Sequence, residues 1–209
     1  MIKADPKSAE IIRPILRGRD IKRYGYDFAD LWLINTHNGI REKGIKPVNV
    51  NNYPAIKKHL DNYWDEIEHR ADQGDTPYNL RNCAYIEDFY RQKIVWGNLN
   101  LTAAFSFAPE GIFINAPCPL IVPASNYLLA ILNSRLADYY IRKLGITRNG
   151  GYFEYKPMFI EKLPVPFPNN GINKKIDEML QIKKYDEIDK IIYDLYNLTE
   201  IEIEFINSQ

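Results

Sequence analysis

Between residues 93 and 122 the chain carries four short apolar runs, none long enough for a helix. Lys93–Gly97 (KIVWG), Phe105–Phe107, Ile112–Ile114 and Leu120–Val122 are cut apart by Pro109-Glu110-Gly111, Pro117 and Pro119. Proline lacks an amide donor and breaks helices, so these runs can bury themselves only as short strands. They predict a small antiparallel or mixed sheet. The next stretch has the opposite character. In Tyr127–Leu144, the residues Leu128, Leu132, Leu136 and Tyr139 or Tyr140 recur at helical spacing. Ser125 or Asn126 stands ready to cap that helix and Gly145 to end it. Tyr53–Arg70 shows the same periodicity at Ile56, Leu60, Tyr63, Trp64 and Ile67, with Pro54 in its first turn. Strands clustered in one region and helices in others predict an α+β fold: a small twisted mixed or antiparallel sheet with packed helices, followed by a C-terminal helical segment.

The remaining stretches fill in this outline. Ser8–Leu16 reads as a short helix stopped by Pro14 or as an extended segment. Leu31–Thr36 (LWLINT) reads as a buried strand ended by the turn signal Asn38-Gly39. Asp72–Pro77 is a loop, and Ile146–Pro157 a loop or hairpin with Asn149-Gly150-Gly151 at its tip. Leu163–Pro168 (LPVPFP) must be extended. Two further helices are predicted at about 173–183 and 186–197. A last turn begins at Thr199, where Thr199-x-x-Glu202 fits a capping box. These readings divide the 209 residues into a domain over 1–168 and a helical appendage over 169–209.

The chain has no net charge, with 27 basic and 27 acidic residues, but the charges are not spread evenly. Residues 1–25 hold seven Lys/Arg against three Asp/Glu, whereas residues 172–209 hold five against nine. A nucleic-acid-binding face, if present, must therefore come from the N-terminal cluster and from local patches in the middle. Fifteen tyrosines suit half-buried contact faces, or reflect codon bias in the genome. Cys83 and Cys118 form no CxxC pair, the N-terminus is too charged for a signal peptide, and no apolar run approaches a membrane span. The expectation is a cytoplasmic protein without a membrane partner.

Familiar catalytic patterns are missing. No glycine-rich phosphate loop or dinucleotide fingerprint occurs. His59 and His69 stand too far apart on one predicted helix to share a metal, and His37 beside Asn38 either shapes a turn or has a function. Glu154-Tyr155-Lys156, with Asp138 upstream, matches the tail of a metal-dependent nuclease site, but the tripeptide is common and Asp138 falls mid-helix. The expectation is no catalytic and no metal site in this chain.

Several stretches resemble the TaqI-like C-terminal specificity domain of type IIG restriction–modification enzymes and related adenine-specific DNA methyltransferases. The resemblance begins at Pro14-Ile-Leu-Arg-Gly-Arg-Asp-Ile-Lys-Arg-Tyr24 and Leu31-Trp-Leu-Ile34. It continues at Tyr53-Pro-Ala-Ile56, Arg81-Asn-Cys-Ala-Tyr85, Lys93-Ile-Val-Trp-Gly97, Leu128-Leu-Ala-Ile-Leu-Asn-Ser134, Gly145 to Pro166, and Ile188 to Thr199. It implies a target-recognition domain that holds double-stranded DNA and presents it to a separate methyltransferase domain, with a nuclease domain in some members. S-adenosylmethionine and an Asn-Pro-Pro-Tyr type motif belong to that other domain; no Pro-Pro dipeptide occurs here. The flipped adenine would enter a pocket there. The resemblance also implies a start inside the recognition domain, as in an N-terminally truncated piece. A protein-interaction or assembly domain, or a nuclease using Glu154 and Lys156, are the alternatives.

Four sets of residues are candidate DNA contacts. Arg17, Arg19, Lys22 and Arg23 can anchor phosphates, with Gly18 permitting close backbone approach. Thr147, Arg148, Asn149 and Tyr152, with Lys156, lie on the expected hairpin, where arginine can read guanine and asparagine adenine. Asn98 and Asn100 follow the KIVWG strand, and Asn38 and Arg41, with Asn35 and His37, follow the LWLINT strand. For each set the competing reading is ordinary loop chemistry.

Overall fold

Proline, glycine and short polar caps decide where the elements of this chain stop. The computed structural model describes residues 1–209. Its strands are β1 (Ile12–Leu16), β2 (Ile21–Lys22), β3 (Gly25–Tyr26), β4 (Trp32–Ile34), β5 (Lys93–Trp96), β6 (Leu99–Asn100), β7 (Phe105–Ala108), β8 (Phe113–Ile114), β9 (Leu120–Ile121) and β10 (Phe153–Glu154). Its helices are α1 (Pro54–Asp61), α2 (Trp64–Ile67), α3 (Asn126–Leu132), α4 (Arg135–Leu144), α5 (Pro157–Ile160), α6 (Asn170–Gln181), α7 (Tyr185–Leu195) and α8 (Glu200–Asn207). The class is α+β, as the punctuation predicts.

The chain forms two compact units. The first comprises Met1–Ile15, Asp30–Tyr90 and Gly111–Phe113; the second comprises Leu16–Ala29, Arg91–Glu110 and Ile114–Gln209. These units do not follow a cut at residue 168, because α6 and α7 supply interior side chains to the second unit.

In the first unit, β1 and β4 pair antiparallel, with Ile12 opposite Ile34 and Pro14 opposite Trp32. Of the two readings of Ser8–Leu16, the extended one holds for 12–16. LWLINT is a strand only over Trp32–Ile34 and is not buried throughout, since Trp32 is 54% exposed. Ile11, Val50 and Ile56 form the core. The periodic stretch 53–70 is not one helix. It breaks after Asp61 and resumes at Trp64, and only Ile56 of α1 is buried. The loops are tied by amides: the buried Asn79 donates to the Val48 carbonyl at 2.9 Å and accepts from Thr76 Oγ1 at 2.6 Å.

The second unit is built on the antiparallel sheet β7-β5-β9. Lys93 lies opposite Ala108, Trp96 opposite Phe105, and Ile94 opposite Ile121. β5 is covered along its whole length. Trp96 donates its indole N–H to the Tyr155 carbonyl at 2.6 Å, so the largest core side chain leaves no donor unpaired. Each such fully buried apolar side chain contributes roughly 1.5–3 kcal/mol.

Helices pack on this sheet. The stretch 127–144 is two helices, because Ser134 starts a new one by accepting the Ala137 N–H at 3.1 Å. Ser125 caps α3 by accepting from Leu128 N–H at 3.1 Å. Ile176 of α6 and Ile188 and Ile192 of α7 are fully buried in the same core. The Thr199–Glu202 capping box opens α8 as its spacing predicts. No helix is long and apolar enough to cross a membrane.

Candidate nucleic-acid interface

The second unit contains a cleft of about 540 Å³ that gathers residues from three distant parts of the sequence. Arg19 and Lys22 come from the N-terminal cluster, Asn98 and Asn100 from the segment after β5, and Tyr152 from the hairpin. Each part is held in place by identifiable contacts.

The turn carrying Arg19 is fixed by a carboxylate. Asp20 is 5% exposed and accepts from the Arg17 backbone N–H at 2.8 Å, from Arg17 Nε at 3.0 Å and from its terminal nitrogen at 2.8 Å. Hydrogen bonding from Arg17 holds the Asp20 carboxyl below its usual range. Arg17 is thus a clamp on its own turn. Gly18 serves close approach, but to protein: a Cβ there would stand 3.3 Å from Gly97 Cα and from Cys118 Sγ. Arg19, by contrast, is exposed and makes no ion pair, and Lys22 is exposed with Nζ donating to the Arg19 carbonyl at 2.7 Å. Arg23 turns inward. Its guanidinium donates to the Asn133 carbonyl at 3.1 and 3.0 Å and to Asp189 at 3.3 Å. Of the four cations, two face the cleft and two brace the fold.

The second wall is β6, which pairs with β10 so that Leu99 faces Glu154 and Asn100 faces Phe153. Asn100 donates to the Gly97 carbonyl at 2.8 Å, and the Asn98 carbonyl accepts from Tyr155 N–H at 2.8 Å. The side-chain oxygen of Asn98 is buried without a partner.

The expected hairpin forms. Arg148 N–H donates to the Tyr152 carbonyl at 2.7 Å, and Gly150 and Gly151 take positive φ at its tip. Thr147 bridges to Phe153, and Asn149 is exposed. Arg148 is not a free reader: its guanidinium hydrogen-bonds Glu154, whose carboxylate also lies 2.9 Å from Lys156 Nζ. Glu154 is 2% exposed, and Lys156 and then Arg148 hold its carboxyl below the usual range.

The carboxylates of the nuclease alternative are engaged within the protein. Glu154 is neutralised by two cations, and Asp138 instead accepts from Ala103 N–H at 2.6 Å and from the Tyr155 hydroxyl. No three His, Cys, Asp or Glu residues converge to hold an ion.

Asn38 and Arg41 belong to the first unit. Asn38 is 7% exposed, with its amide bonded to Asp75 at 3.0 Å and Asn82 at 2.7 Å, so it staples loops. Arg41 is 82% exposed and 3.5 Å from Asp75. His37 accepts the Gly39 N–H on Nδ1 at 3.0 Å and shapes its turn. Sequence reasoning missed Thr102, Asn115 and Cys118, which also line the cleft. Burial pushes the Cys118 thiol up to about 11. No local motif marks these three.

The cleft thus brings two exposed cations, Arg19 and Lys22, and two asparagines, Asn98 and Asn100, together on a small α+β scaffold. The family profile of the TaqI-like C-terminal specificity domain matches residues 13–165, and the chain belongs to that family of restriction–modification specificity domains. It is similar to the type II methyltransferase M.BstVI of Geobacillus stearothermophilus, with 20% identity over 206 residues, covering 94% of this chain and 36% of that protein. Its fold is similar to that of the type IIL restriction-modification enzyme MmeI, solved in complex with DNA. The TM-score is 0.70 at 13% identity, over 99% of this chain and 31% of that one. The chain therefore spans about a third of the length of either relative.

Proposed function

We propose that this chain is the DNA target-recognition domain of a type II methyltransferase or restriction–modification enzyme, and that duplex DNA binds at the cleft of the second unit. The observation that carries this reading is the convergence of Arg19, Lys22, Asn98, Asn100 and Tyr152 on one cleft in a chain of the specificity-domain family. Arg19 and Lys22 contact phosphates and set register; the amides and the hairpin tip meet base edges. Arg17, Arg23 and Asn38 position structure and do not touch DNA. Arg148 and Lys156 reach phosphate only while sharing Glu154.

A separate methyltransferase domain supplies the chemistry, and in some enzymes a nuclease domain does as well. S-adenosylmethionine would be held by that separate methyltransferase domain, together with the Asn-Pro-Pro-Tyr type motif; this chain has no Pro-Pro dipeptide.

Salt titration tests the reading. Affinity for a random-sequence duplex should fall steeply between about 50 and 200 mM salt. Arg19→Ala should reduce the slope of log affinity against log salt by about 0.9, uniformly across sequences. Absence of binding at low salt would refute DNA recognition by this chain.

A further inference from the structure

Leu99 and Leu101 are 51% and 53% exposed, and both line the cleft. Single exposed leucines need no explanation. These two are different because they stand two residues apart. Leu99 is fixed in β6 by its pairing with β10, and Leu101 follows just past the end of that strand, so both border the one cleft. Tyr152, 42% exposed, adds a third apolar surface in the same cleft. Arg19 and Lys22 share that cleft, so whatever covers the leucines is an anion with apolar groups on it. A purely apolar protein surface would leave both cations facing carbon. In duplex DNA one group combines these properties: the C5-methyl of thymine projects into the major groove between two rows of phosphates.

We propose that Leu99 and Leu101 are specificity-determining residues that contact thymine C5-methyl groups, so that the target sequence contains at least one thymine facing β6. This rests on the DNA reading above. It goes beyond that reading by assigning base preference to apolar side chains in addition to hydrogen-bonding groups.

The test compares thymidine with deoxyuridine, which lacks only the methyl. Duplexes are enriched from a random-sequence library on the 209-residue chain and remade with deoxyuridine throughout. The wild-type chain should bind the remade duplexes about three- to five-fold more weakly for each methyl contacted. The Leu99→Ser/Leu101→Ser variant should bind both forms alike, with an unchanged salt slope because Arg19 and Lys22 remain. If the wild-type chain binds both forms equally with a normal salt slope, DNA recognition stands and the methyl contact is overturned. If no duplex binds at low salt, the DNA reading fails and the methyl contact fails with it. The wild-type comparison needs no variant, so a poorly folding double mutant does not obscure the result.

Discussion

Replacing Arg23 with alanine should cost stability and leave the salt dependence of DNA binding unchanged. Replacing Arg19, four residues earlier, should do the reverse. Arg23 gives three hydrogen bonds inward, and its partner Asp189 is 3% exposed. Burial raises the Asp189 carboxyl above its usual range even though the Arg135 N–H, at 2.8 Å, Arg23 and Arg135 favour its charge. Hydrogen bonds to charged groups contribute roughly 1.5–3 kcal/mol. The Arg23 side chain is 36% exposed, and solvent recovers part of that. The net loss should be about 2 kcal/mol, or roughly 4–8 °C in melting temperature for a chain of this size. Arg19→Ala should stay within about 0.5 kcal/mol of wild type. Thermal and denaturant melts followed by circular dichroism measure the first effect, and duplex titrations across salt the second. A cycle with Asp189→Asn should show the two losses coupling, since both residues serve one contact. If Arg23→Ala melts with the wild type while the salt slope drops by one phosphate, Arg23 is a DNA anchor and its inward assignment is wrong.

Two smaller tests address the hairpin. Because the Glu154 carboxyl is depressed in the fold, its contribution is present above its ordinary value near 4.5 and is lost as pH falls through the lower folded value; Glu154→Gln should remove that part of the acid sensitivity in melts run at successive pH values. Gly145→Ala should destabilise the chain by roughly 1–3 kcal/mol, because a Cβ there would stand 2.6 Å from the Glu154 carbonyl; an unchanged melting temperature would show that the backbone yields freely.

What the sequence discloses depends on the range of the interaction. β5, β7 and β9 are legible because proline and glycine bound them locally. The helix breaks at 62–63 and 133–134 are not, since apolar periodicity runs straight across both. It reports which face is buried, and says nothing of whether the backbone hydrogen bonds continue. Ser134 is itself a capping residue, so a local signal is present but outweighed by Leu132 and Leu136 on either side. The cations behave likewise. Arg17 has its partner only three residues away, yet spacing alone does not separate such a clamp from a phosphate anchor; Arg23 has its partner 166 residues away, beyond any local signal. Asn98, Asn100 and Tyr152 are each legible as candidates from the sequence, but only the pairing of β6 with β10 brings them to the same cleft.

The Arg23–Asp189 contact also sets an order of events during synthesis. A ribosome adding about 5–20 residues per second makes Arg23 roughly ten to thirty seconds before Asp189. During that interval the cationic turn and hairpin of residues 16–29 have neither α4 nor α7 to close against. Nascent or prematurely terminated chains would carry the basic segment unbraced, free to associate with nucleic acid without regard to sequence. Discrimination by this domain would then begin only once its acidic C-terminal helices have been made.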